Sequence, residues 1–192
     1  GVYDKNRPFH VTSSPSMDIL ISSNLERMLY YFSEGDTELI SRLMNDLATT
    51  GRYEVPADIM TKIREVFDCG WADEDQVRTA IAECWQDNEY VIDPHTACAY
   101  HVLGTTEGTP TVPRVILSTA SPYKFPRAVL EALGQDTPDS DFACMDALHD
   151  FSGMPIPENL RSLEGQSPRF TDEIDVNDMP EYVKTMAARF AA

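Results

Sequence analysis

The residues best suited to chemistry lie at one end of a short apolar run. In RVILSTASPYKF, residues 114–125, Val115, Ile116 and Leu117 give way to Ser118, Thr119, Ala120 and Ser121, with Lys124 just beyond. An apolar run rich in β-branched residues predicts a buried strand. In open α/β sheets ligands bind beyond the carboxyl ends of strands, where loops diverge and helix amino termini face the opening. Small residues at such a position admit a flat ligand close to the backbone, and a neutral hydroxyl bonds a ring atom without imposing charge. The same residues also suit a plain strand-to-helix turn in which serine and threonine act as caps. Both readings stand at this point.

A second cluster has metal-like spacing. His95, Cys98 and His101 recur every three residues, which on a helix places them on related faces. The spacing offers no fourth ligand, so packed helix residues are the reading and no metal is expected. Cys69, Cys84, Cys98 and Cys144 are far apart, with no CxxC pair, and are read as reduced thiols.

The totals restrict the partners. With 192 residues, 42% of them hydrophobic, the chain can bury a core of its own. Fifteen basic residues against thirty-two acidic ones give a formal charge of -17, which repels phosphate backbones and anionic lipid. Neither nucleic acid nor membrane is an expected partner. No apolar run approaches the roughly 20 residues of a membrane span, and GVYDKNRPFH lacks the layout of a signal peptide, so the expectation is a soluble, cytoplasmic protein.

The elements that must position these residues are mostly helical. After an extended opening and a turn at Thr12–Pro15, Ser23, Asn24, Leu25 and Glu26 predict a capping box that starts a helix with Leu25, Met28, Leu29 and Phe32 inward. A second helix opens at Asp36 and closes before Gly51; a short strand covers 52–55. Pro56 begins a helix with Ile59, Ile63, Val66 and Phe67 inward, ended by Gly70. Further helices are expected from Asp73 to about Asn88 and from Pro94 to about Gly104, followed by the loop TTEGTPTVP. Beyond the strand, helices run from about Pro126 to Leu133, around Phe142 to Phe151, and from Pro180. One convincing strand cannot be buried alone, because its backbone groups need partners. An incomplete sheet is therefore expected, with neighbouring strands on polypeptide outside this chain, which does not begin with Met; strands with weak sequence signals are the rival explanation.

The stretches SSPSMDILISSNLERMLY, DPHTACAY and LSTASPYKF, in this order and at these separations, resemble the carboxyl-terminal part of threonine synthase. SGMPIPENLRSL and MPEYVKTM extend the resemblance over essentially the whole chain. It implies an α/β fold, the helix-rich carboxyl-terminal part of a pyridoxal-phosphate (PLP) enzyme of fold type II, with few strands and an incomplete sheet. Residues 1–134 would belong to the PLP-binding catalytic region and residues 135–192 to a helical tail packing on it. The implied activity is a carbon-oxygen lyase of threonine biosynthesis that converts O-phospho-L-homoserine and water to L-threonine and phosphate.

The resemblance also assigns residues. Thr119 matches the hydroxyl that bonds the pyridine nitrogen of PLP, with Ser118 and Ala120 beside it in the cofactor set. Ser14 and Ser16, in a segment that also holds Asp18, match hydroxyls near the active-site entrance able to receive phosphate, an ordinary turn being the alternative. Lys124 matches the lysine of the third motif, placed either to neutralise an anionic substrate or on the surface. Where Ser121 stands the family often has histidine. Asp93 and His95 would cap and pack the Pro94 helix. No catalytic residue is assigned within the chain: the lysine that carries the cofactor as a Schiff base and the glycine-rich phosphate loop lie upstream in the family, and Lys5 does not fit that context. The chain alone is accordingly expected to be inactive, to pair with the amino-terminal half of the same protein, and to self-associate without it. A non-catalytic acidic helical interaction module, or another fold type II lyase, are the alternatives.

Overall fold

The computed structural model describes residues 1–106 and 111–190. The loop expected between the Pro94 helix and the apolar run thus lies partly outside the described residues. Two compact units are present, residues 1–157 and 158–192.

In the first unit, β1 (Val2–Asp4) pairs antiparallel with β2 (Arg52–Glu54), Tyr3 opposite Tyr53, and the two rings stack at 5.0 Å. Between them run α1 (Leu25–Phe32) and α2 (Thr37–Thr49); α3 (Ala57–Arg64) follows β2. Leu29, Leu39, Ile40, Leu43, Tyr53, Val55, Ile59 and Ile63 close into one apolar core. These residues recur at helical spacing in α1–α3, so each helix turns one stripe inward. Desolvation in this core pushes the Tyr53 phenol up to about 12.

Four helices form the second half of the unit: α4 (Glu74–Asn88), α5 (Pro94–Thr105), α6 (Pro126–Ala132) and α7 (Asp141–Ser152). α4 packs on α5 and α6, and α6 on α7. Ile81, Val129, Leu130, Cys144 and Leu148 are fully buried on them. The compact units divide after Pro157, whereas the sequence reading divides the chain after Gly134. α7 buries Cys144, Met145 and Leu148 in the first unit, which keeps residues 135–157 with it. The second unit contains α8 (Glu158–Arg161) and α9 (Met179–Phe190), and Tyr182 donates to Asp172 at 2.7 Å within it.

Three expectations are corrected. α1 has Asn24 at its amino terminus with no side-chain cap, so the Ser23–Glu26 capping box does not form; the box is instead at Asp73 and Gln76, opening α4. α3 stops at Arg64, which leaves Val66 and Phe67 67% and 54% exposed rather than inward. Most important for the site, residues 115–118 form no strand ladder among the described residues and none of them is buried: Val115 is 80% exposed and Leu117 75%. Among the described residues the two-stranded β1–β2 sheet is the only sheet, so this apolar run has no strand beside it.

Leu148→Ala removes a fully buried side chain between α7 and its neighbours. It is expected to cost about 2–5 kcal/mol, read as a shifted midpoint in chemical denaturation.

Candidate functional site

Asp93 is completely buried and sits where α5 begins. The aspartate is the residue before a helical proline, extended in backbone, so its carboxylate folds back onto the first turn. One oxygen, Oδ1, accepts from the His95 amide at 2.9 Å and from His95 Nδ1 at 3.0 Å. The other, Oδ2, accepts from the Thr96 hydroxyl. A buried carboxylate is tolerable only with its lone pairs engaged, and here they are.

Each of these partners reaches a different candidate segment. Thr96 Oγ1 accepts from the Thr119 amide at 3.2 Å. His95 Nε2 accepts from the Ser16 amide at 3.4 Å. Because Asp93 only accepts, Nδ1 carries the imidazole proton and Nε2 presents its lone pair to the Ser16 N–H. The His95 ring, 5% exposed, also lies 4.8 Å from the Phe125 ring. Thus the segments around Ser16, Asp93 and Phe125, scattered along the chain, converge on one imidazole.

The serine segment has its own scaffold. Asp18 accepts from the Thr12 amide at 2.9 Å and from the Thr12 hydroxyl, while Thr12 Oγ1 accepts from the Ser14 amide at 3.1 Å. Glu74 at the start of α4 accepts from both the amide and the hydroxyl of Ser13. Ser14 is buried and spends its hydroxyl on Thr12, so it holds the loop. Ser16 is exposed, and among the described residues its amide is hydrogen-bonded while its hydroxyl is not.

On the other side, Ser118 and Thr119 are exposed and Ala120 is half-buried. The Thr119 backbone is fixed by Thr96, and its hydroxyl makes no hydrogen bond among the described residues. Ser121 accepts from the Tyr123 amide and caps the turn Pro122–Lys124. Buried Tyr123 donates to the Met154 carbonyl, which anchors that turn to the end of α7. Lys124 is exposed with no ion pair among the described residues. It lines a cavity of about 420 Å³ together with Thr12, Ser13, Pro15 and Arg127. Lys124 therefore faces the serine loop, whereas Thr119 lies outside that cavity. A second cavity of about 410 Å³ beside β1 and β2, lined by Tyr3, Leu20, Ile21 and Tyr53, contains none of the candidate residues.

Sequence reasoning took Asp93 and His95 as cap and packing residues, and both do that. It missed that they bridge, and it missed Thr12, Thr96 and Glu74. The signal was present in Asp93-Pro-His-Thr, where an N-cap aspartate has hydrogen-bonding side chains two and three positions on. What those side chains reach is a tertiary matter. His95 is engaged by Asp93 and Ser16, and the described residues hold no group of three metal-ligating side chains. None of their helices is long and apolar enough to cross a membrane.

In this arrangement a helix amino terminus, through its buried aspartate and the two side chains bonded to it, ties down a hydroxyl-bearing segment on each side. Comparison with known proteins supplies the family. The family model for "Threonine synthase, C-terminal" matches residues 96–186. Threonine synthase of Pseudomonas aeruginosa is 35% identical over 134 residues, 69% of this chain and 28% of that protein. Threonine synthase of Eremothecium gossypii is 32% identical over 195 residues, 92% of this chain and 36% of that protein. The structure of PLP-bound threonine synthase from Brucella melitensis superposes with a TM-score of 0.75 at 30% identity, covering 96% of this chain and 36% of that one. The chain belongs to the threonine synthase family and corresponds to its carboxyl-terminal portion. It spans about a third of the length of these relatives.

The Asp18 carboxyl is held below its ordinary value, first by the Thr12 hydroxyl and then by the Thr12 amide. A depressed native value contributes stability above the unfolded value, and that stability is lost as pH falls through the native value. The Thr12 amide resonance is therefore expected to stay unchanged down through the usual aspartate range and to move only at lower pH. In Asp18→Asn this transition should be absent.

Proposed function

We propose that this chain forms the carboxyl-terminal wall of a threonine synthase active site, in an enzyme of PLP fold type II that converts O-phospho-L-homoserine and water to L-threonine and phosphate. The observation that carries the reading is Thr119: a fixed backbone and an unengaged neutral hydroxyl, beside small residues, within the motif that matches the family. These residues fit the edge of a planar heterocycle, since a hydroxyl bonds a ring nitrogen without forcing a charge on it. Thr119 would hold PLP there, with Ser118 and Ala120 alongside. When bound, PLP supplies the electron sink that lets protons leave carbons next to the amine.

The remaining residues bind and orient. Lys124 is a cation on the cavity that Thr12, Ser13 and Pro15 of the serine loop also line, suited to a substrate phosphate, and Ser16 carries an exposed hydroxyl on that loop. Ser14 holds the loop rather than offering a free hydroxyl. The lysine that anchors the cofactor and the loop for its phosphate would come from the amino-terminal part of the protein, as would strands to pair with residues 114–118. The exposure of Val115 and Leu117 supports that pairing. A cytoplasmic location is part of the same proposal.

Phosphate release from O-phospho-L-homoserine by the complete protein tests the activity, and its absence with a range of amino-acid substrates would sink it. The isolated chain is expected to release none. In the complete protein Thr119→Val should weaken PLP retention about tenfold, one hydrogen bond to the ring being lost, as measured by cofactor loss on dialysis.

Covering Val115 and Leu117 by self-association is the expected fate of the isolated chain. Sedimentation should show oligomers for it and monomers for the doubly substituted Val115→Asp, Leu117→Asp chain.

A further inference from the structure

The His95 side chain meets all three motifs of the candidate site. It donates through Nδ1 to Asp93, accepts through Nε2 from the Ser16 amide, and lays its ring 4.8 Å from Phe125. Phe125 ends the segment that carries Thr119 and Lys124. A neutral imidazole is rigid and has a donor on one edge and an acceptor on the other, so it can bridge a carboxylate and a backbone N–H at a set separation. Burial at 5% exposure keeps water from replacing either bond. Among the described residues the Ser16 amide has no other partner, and the turn beside it is closed by the Met17 amide on the Ser14 carbonyl.

We propose that His95 is a positioning residue: its Nε2 lone pair holds the Ser16 amide and thereby sets the gap between the serine loop and the Thr119–Lys124 segment. Through Asp93 and Thr96 the same unit holds the Thr119 amide. The serine loop, whose Thr12, Ser13 and Pro15 line one cavity with Lys124, is thus kept at one spacing from that ammonium, and that spacing suits a substrate carrying a phosphate at a fixed distance from its amino-acid end. The proposal deepens the functional reading above and rests on it for the substrate alone.

Two variants separate the bonds. In His95→Asn the amide nitrogen overlays Nδ1 and keeps Asp93 but cannot reach Ser16; in His95→Gln the amide oxygen reaches the position of Nε2. In the full 192-residue chain, labelled with ¹⁵N, the wild-type imidazole should show the Nδ1–H tautomer, with a slowly exchanging Ser16 amide. His95→Asn should speed Ser16 exchange about tenfold, as loss of one hydrogen bond allows, and His95→Gln should restore most of the protection. In the complete enzyme, His95→Asn should raise the KM for O-phospho-L-homoserine about tenfold with kcat changed less than about twofold, and His95→Gln should reverse the change.

An Nε2–H tautomer in the wild type, or equal Ser16 exchange in all three proteins, would overturn the positioning role without reference to any substrate. Ser16 released in His95→Asn and recovered in His95→Gln, but with KM unmoved, upholds the positioning role and instead overturns the assignment of the serine loop to substrate.

Discussion

A buried carboxylate organises the candidate site. Asp93 has no exposed surface, and an unpaired carboxylate there would be too costly to keep. Its hydrogen bonds are therefore requirements on the surrounding structure. They fix the start of α5, the tautomer of His95 and the rotamer of Thr96, and through those two side chains the backbone at Ser16 and Thr119. Removing the carboxylate would orphan several donors together, which is why the two loops behave as parts of one arrangement.

Around that hub the first unit divides its labour. The α1–α3 core with β1 and β2 is built from aliphatic stripes and supports the early part of the chain. The α4–α7 set carries the hub on α5, and α4 reaches the serine loop through Glu74. Tyr123 ties the Pro122–Lys124 turn to the end of α7, so the segment after Thr119 is anchored at both sides. Rigid helices thus frame exposed hydroxyls and one lysine, the arrangement expected where a ligand must meet fixed polar groups.

The exposed run at 114–119 has a different status. Val115 and Leu117 are exposed and the run has no ladder among the described residues, which is costly for a strand-like segment in a finished sheet. Relatives of about three times the covered length share this backbone with a TM-score of 0.75.

Local chemistry made much of this readable from residues alone. Apolar spacing gives α2, α4 and α5 nearly to their ends, and Asp36, Pro94 and Pro180 mark helix starts to within a residue. Interactions within a few residues are written in sequence order, and so are legible. Ser23 and Glu26 had the right spacing for a capping box yet did not form one, while Asp73 and Gln76 did, because a cap depends on backbone angles that packing sets. Only the tertiary structure decided that Val115 and Leu117 are uncovered, since burial needs a partner surface and hydrophobicity does not provide one. It alone joined Ser16 to His95 and Thr119 to Thr96, bonds spanning 79 and 23 residues, because no local rule encodes which distant amide will meet a given lone pair.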